Sequence, residues 1–155
     1  MLEKLIISDA SPLIALEDIG QLHLLKQLYK QVIITDVVRD EIQADLPSWI
    51  EVTANYDISQ FRVLSLELDK GEASAIALAL KNPELPIIID ERKGRLVAKR
   101  LNLRVTGTIG LLIKAKQKGL LFSGKTVLNQ LEDHGFWLSK KLKHQILIKM
   151  GEGEE

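Results

Sequence analysis

Apolar residues are distributed along the chain in two ways. Leu5-Ile6-Ile7, Val32-Ile33-Ile34 and Pro86-Ile87-Ile88-Ile89 are short continuous runs, a pattern that suits strands buried on both faces. Between and after them apolar positions recur at helical spacing. Residues 21–30 place Leu22, Leu25 and Leu28 on one side of a predicted helix, and Pro12 opens another just before it. Thr35 is placed to cap a helix over 36–44, and residues 49–53 read as a further strand. Asp69-Lys-Gly-Glu72 opens an alanine- and leucine-rich helix through Lys81. Beyond the run at 86–89 the pattern predicts a helix over 92–101 and a short strand at Leu103-Arg-Val105. Thr106-Gly-Thr108 then leads into a helix to about Lys118, and helical stretches follow at 123–133 and 139–149. Strands alternating with helices imply a doubly wound α/β sheet, in which the ligand crevice lies beyond the carboxyl ends of the strands.

Composition narrows the class. A chain of 155 residues is the size of one domain, expected over 1–150, with Gly151–Glu155 read as a short, charged, glycine-containing disordered tail. The absence of cysteine excludes disulfides and thiolate zinc sites. His23, His134 and His144 lack metal-ligand spacing and read as surface or helix-end residues. No basic start with a long apolar stretch marks a signal peptide, and no run approaches the roughly 18 apolar residues of a membrane span. A cytoplasmic protein without a membrane anchor is the expectation.

Net charge is zero, but residues 1–91 carry 7 Lys and Arg against 16 Asp and Glu, whereas residues 92–155 carry 14 against 5. Arg92 to Lys118 contains nine bases and no acid. Such asymmetry suits a nucleic-acid contact surface beside an acidic centre, or simply solvated helix faces.

Two apolar runs end in acid, Ser8-Asp9 and Asp90-Glu91. If both strands are central, these carboxylates meet at one edge of the sheet, where their mutual repulsion needs a cation to offset it. Carboxylate oxygens suit Mg²⁺ or Mn²⁺. Taken singly, either aspartate also reads as an ordinary helix cap. Glu41 lies beside buried-type residues or forms a solvated pair. Glu72 follows Asp69 at capping-box spacing and reads as a cap or as a ligand.

The ordered set of motifs resembles the PIN domain, specifically a branch of predicted prokaryotic nucleases. The matching pieces are Ser8-Asp9-Ala10-Ser11-Pro12-Leu13-Ile14, Val38-Arg-Asp-Glu41-Ile42 and Gly71-Glu72-Ala73-Ser74-Ala75-Ile76. Ile88-Ile89-Asp90-Glu91-Arg92-Lys93-Gly94-Arg95 and Val105-Thr106-Gly107-Thr108-Ile109-Gly110 follow, then Ala115-Lys116-Gln117-Lys118-Gly119-Leu120. The resemblance implies a three-layer α/β/α sandwich with a parallel sheet of about four or five strands. It implies that Asp9, Glu41, Glu72 and Asp90 converge to hold Mg²⁺ or Mn²⁺ for RNA hydrolysis, with Asp9 and Asp90 as direct ligands and Glu91 as an addition. Glu72 and Glu91 stand where Asp is common in the family. Toxin activity, a small antitoxin partner and a homodimer are further implications.

Arg92 and Arg95 are the expected phosphate contacts, because arginine grips phosphate bidentately; Arg95 equally suits pairing with a site acid. Ser11, Thr106 and Thr108 are candidates for the same nucleic-acid contact, with helix capping as the alternative for each. Trp49 and Trp137 are too isolated for a stacking platform and read as packing anchors. The apolar residues of helices 12–28 suit a partner surface or ordinary core. A PIN-like module that binds without cutting is the competing function. A phosphotransfer receiver would want lysine where Val105-Thr106 stands, and neither a phosphate loop nor a dinucleotide fingerprint is present.

Overall fold

The computed structural model describes residues 3–153. Five parallel strands form the sheet: β1 (Glu3–Ser8), β2 (Tyr29–Thr35), β3 (Ile50–Thr53), β4 (Ile87–Ile88) and β5 (Val105–Thr106). Their spatial order is β3-β2-β1-β4-β5. β1 is therefore central, and the winding reverses between it and β4. The register pairs Ile6 with Val32 and Ser8 with Ile88, so β1 and β4 finish level with one another.

The helices are α1 (Ala10–Asp18), α2 (His23–Leu28), α3 (Asp36–Glu41), α4 (Ile58–Leu64) and α5 (Lys70–Lys81). α6 (Arg92–Arg100), α7 (Thr108–Gln117), α8 (Gly124–Asp133) and α9 (Lys140–Lys149) complete the described chain. They flank the sheet in the three-layer α/β/α arrangement expected of a PIN-like fold. Ile6, Ile7, Ile34, Ile87, Ile88 and Ile89 are fully buried, as the absence of polar alternation in their runs requires. α5 is buried along its length from Gly71 to Ala79. Its small side chains allow close packing against α3, α4 and the sheet.

Several boundaries differ from those the pattern predicts. The helix expected over 21–30 stops at Leu28, and Tyr29 and Lys30 begin β2 instead. Tyr29 is a good strand residue, and its pairing with Glu3 lengthens the central ladder. The helix expected over 36–44 ends at Glu41, because Ile42 is extended. Thr35 does cap it, accepting from the Val38 N–H at 3.0 Å. β5 begins at Val105 rather than Leu103, after Asn102 adopts φ +63° to turn the chain out of α6. α4 has no fully buried residue, and so left no strong apolar stripe to predict it.

Of the expected tail, residues 151–153 are described, and Glu154 and Glu155 lie outside the described residues. Glu152 accepts from the N–H groups of Gly124 at 2.6 Å and Lys125 at 3.2 Å and meets Lys116 at 3.2 Å. A carboxylate at a helix start satisfies otherwise unpaired N–H groups and complements the helix dipole, which explains why this short polar segment is held. Burial alone would raise the Glu152 pKa, but these N–H groups and Lys116 bring it below the usual carboxylate range.

Candidate metal centre and nucleic-acid groove

The reversal of winding places the carboxyl ends of β1 and β4 side by side. Asp9 directly follows β1, and its N–H donates to the Ile88 carbonyl at 3.0 Å. Asp90 follows β4 by two residues. Two strand-end acids thus flank the point where an open α/β sheet forms its crevice. Asp9 is buried and opens α1 without a side-chain capping bond, so the capping alternative does not account for its carboxylate. Asp90 is half-buried and is clamped by one residue. Thr108 donates its N–H to Oδ1 at 2.7 Å and its hydroxyl to Oδ2 at 2.6 Å.

Glu41, at the end of α3, and Asp69, at the cap of α5, approach from the β2 side. Asp69 Oδ1 accepts from the Glu72 N–H at 2.8 Å, which sets the first turn of α5. Glu72 sits in that turn, almost wholly buried at 2% exposure, and Glu91 precedes α6. Asp69, Glu72 and Glu91 each offer one carboxylate oxygen, and these three atoms lie within 4.8 Å of one another. Glu72 Oε2 is buried with no hydrogen-bond partner. A buried oxygen left unpaired among other carboxylates is costly in a neutral interior. It is the arrangement a hard cation would satisfy.

Electrostatics carry the same message. Burial foremost pushes Asp9 up to about 7, opposed by the Ala10 N–H and reinforced by Asp69, Glu41 and Asp90. Burial also pushes Glu72 up to about 9, with Asp69, Glu91 and Asp9 adding to the rise. Glu41 is raised by burial and by Asp69, and lowered in part by the Gly71 N–H. Asp9, Glu41 and Glu72 therefore belong to one interacting set with Asp69, Asp90 and Glu91 around them. Two glycines admit this crowding. A Cβ on Gly94 would strike Glu72 Oε2, and one on Gly71 would strike the Glu41 carboxylate.

The structure thus brings Asp9, Glu41, Glu72, Asp90 and Glu91 to one crevice. Asp69 is the acid that sequence reasoning assigned only to capping. It caps and contributes an oxygen to the tight trio. Its position three residues before Glu72 was the available signal. Thr108 departs from the expected phosphate contact: it is fully buried, and its hydroxyl proton is already given to Asp90. Ser11 is exposed on α1 and lines a depression with Leu131 of α8 and His134 just after it, rather than the grooves beside Asp90. Thr106 is half-buried beside Asp90.

Arg92 is exposed at the start of α6. Arg95, one turn on, donates from Nη1 to the Ile89 carbonyl at 2.8 Å, which fixes its guanidinium beside Asp90. Two grooves meet at Asp90 and Arg95. One, of about 400 Å³, is lined also by Arg92, Leu96 and Lys99. The other, of about 460 Å³, runs past Thr106 and Ile109 to Phe136 and Trp137. Trp49 packs against the core as expected. Trp137 does not: it is 80% exposed, because its neighbours Phe136 and Leu138 take the inward positions of the α8–α9 loop.

A family model described as a PIN domain matches residues 5–152. The chain belongs to the PIN-domain family, whose fold is of nuclease type and whose acids bind divalent metal. No curated protein and no solved structure matches the chain significantly. Among the described residues no helix is long and apolar enough to cross a membrane.

Proposed function

We propose that this chain is a ribonuclease that hydrolyses RNA phosphodiesters with Mg²⁺ or Mn²⁺. The observation that carries the reading is the unpartnered, buried Glu72 Oε2 within a trio of carboxylate oxygens, set beside Asp9 and Asp90 at the sheet's switch point. The donors are all carboxylate oxygens, the chemistry that fits Mg²⁺ or Mn²⁺. Asp69, Glu72 and Glu91 would hold the ion, with Asp9, Glu41 and Asp90 close enough to share the charge. When bound, the ion supplies charge neutralisation and an activated water for attack on phosphorus.

The chain's own residues do the rest. Thr108 fixes both Asp90 oxygens, so this carboxylate keeps one orientation. Arg95, pinned to the Ile89 carbonyl, presents a guanidinium in both grooves that reach Asp90, where it suits a phosphate. Arg92 and Lys99 extend that positive edge along α6. Burial and the neighbouring acids raise both Asp9 and Glu72, so alkaline pH favours their charged, ion-binding form.

In the cell this reading extends to a toxin acting as a homodimer and restrained by a small antitoxin, as the family resemblance implies. The alternative, a PIN-like module that binds without cutting, draws on the balanced net charge and on Glu72 and Glu91 standing where Asp is common in the family. Cleavage of labelled single-stranded RNA, with DNA of the same sequence as control, separates them. The reading expects Mn²⁺-dependent RNA products that EDTA abolishes and Asp90→Asn reduces at least ~100-fold. RNA left intact at every Mn²⁺ concentration, with binding retained, would favour the module.

A further inference from the structure

Trp137 is an unusual residue to leave in water, and its surroundings specify what would cover it. Gly135 turns the chain at φ +92°, and Phe136 and Leu138 anchor the loop to the core on either side. The indole is therefore presented from a fixed base rather than from a floppy tip. Its groove is apolar along Ile109, Phe136 and Leu142, and reaches Arg95 and Asp90 at one end and Lys149 elsewhere along its lining. The second groove, carrying Arg92 and Lys99, joins it at the same Arg95 and Asp90. An aromatic, apolar arm thus meets a cationic arm at the acids.

A flat, unpaired ring attached to a phosphate chain matches both arms. We propose that Trp137 is the stacking platform of a nucleobase subsite for single-stranded RNA. In this subsite one unpaired base lies on the indole within the apolar groove. The adjoining phosphate sits at Arg95, and the backbone continues over Arg92 and Lys99. The proposal rests on the nuclease reading for the identity of the polymer and adds to it the residue on which an unpaired base lies. A base paired in a duplex cannot lie on the indole, so the subsite selects single strands. Base–aromatic stacking tolerates any base, so it selects little by sequence.

The test uses the full chain carrying Trp49→Phe, so that Trp137 is the sole tryptophan. Its fluorescence is followed as short single-stranded RNA is added in EDTA, and again with Ca²⁺. Binding should quench the emission. Trp137→Ala, followed by polarisation of labelled RNA, should weaken affinity ~5- to 150-fold, and Trp137→Phe should restore most of it. A duplex of the same sequence should bind parent and Trp137→Ala alike. Equal single-strand affinity for parent and Trp137→Ala, or no RNA binding under either condition, would overturn the proposal; the former would leave the groove to a protein. Cleavage is read separately with Mn²⁺. RNA cut equally well by Trp137→Ala that binds like the parent sinks the subsite and leaves the nuclease. Quenching and affinity loss without any cleavage keep the subsite and sink the nuclease.

Discussion

Gly94 shows how closely the acids are packed. It lies on α6, and the space a methyl group would occupy there is filled by Glu72 Oε2, with Ile89 Cγ2 3.1 Å away. Gly94→Ala should displace the Glu72 carboxylate and reduce Mn²⁺ affinity by at least ~10-fold, the usual scale for disturbing a ligand's support. Shortening the acid in a Gly94→Ala/Glu72→Asp double variant should recover part of that loss. Unchanged Mn²⁺ affinity in the single variant would mean that Glu72 does not hold the ion. At this scale the sequence was informative about residue types and poor about assignments. Asp9 and Asp90 were legible because each ends an apolar run. Asp69 was not, because a capping aspartate and a candidate ligand have the same spacing to Glu72, and only the fold brings the capping side chain beside the Glu72 and Glu91 oxygens. Thr108 was misassigned for a similar reason. Its N–H and hydroxyl do serve an anion, but the anion is the Asp90 carboxylate, 18 positions away in the chain.

Among the elements, those with continuous apolar runs or clear caps were foreseen, and those shaped by tertiary contact were not. β1, β2 and β4 announce themselves as isoleucine-rich runs, and Asp69, Ser123 and Ser139 cap α5, α8 and α9 through their side chains. α4 has exposed Ile58 and Val63 and no fully buried residue, and only Phe61 and Leu64 pack against the core, so its apolar signal is short. The C-terminal segment shows what local composition leaves out. Its composition suggests disorder, yet Glu152 reaches the start of α8, a contact no local pattern encodes. Glu152→Ala should remove that cap and cost about 1 kcal/mol, lowering the melting temperature by ~2–4 °C. Thermal unfolding at neutral pH checks this. A melting temperature equal to the parent's would show that the segment contributes nothing to α8.

For the molecule as a whole, the acid set sets stability against function. Folding raises the pKa values of Asp9 and Glu72 to about 7 and about 9. Between their ordinary values and these raised ones, the unfolded chain has released protons that the folded chain retains. Stability without divalent ions must therefore fall as pH rises from about 5 towards 9. Denaturant unfolding in EDTA should show the midpoint falling steadily over that range. Asp9→Asn, which cannot ionise, should flatten part of that slope and be more stable than the parent at pH 8. A parent whose stability is constant from pH 5 to 9 would contradict the raised values. Mn²⁺ should reverse the trend, because it binds the ionised acids and stabilises the fold in proportion to occupancy. The charge asymmetry read from the sequence has its spatial meaning here. Six acids of the first half gather near the switch point, and Arg92, Arg95 and Lys99 of the second half line the groove that meets Asp90.

The most direct measurement is therefore a calorimetric titration of Mn²⁺ into the parent and into Asp9→Asn, at pH 6 and pH 8. Binding should be tighter at pH 8 in the parent, should release protons, and should weaken at least ~10-fold in the variant. No Mn²⁺ binding by the parent at either pH, or equal binding by the variant, would contradict a metal centre at this crevice.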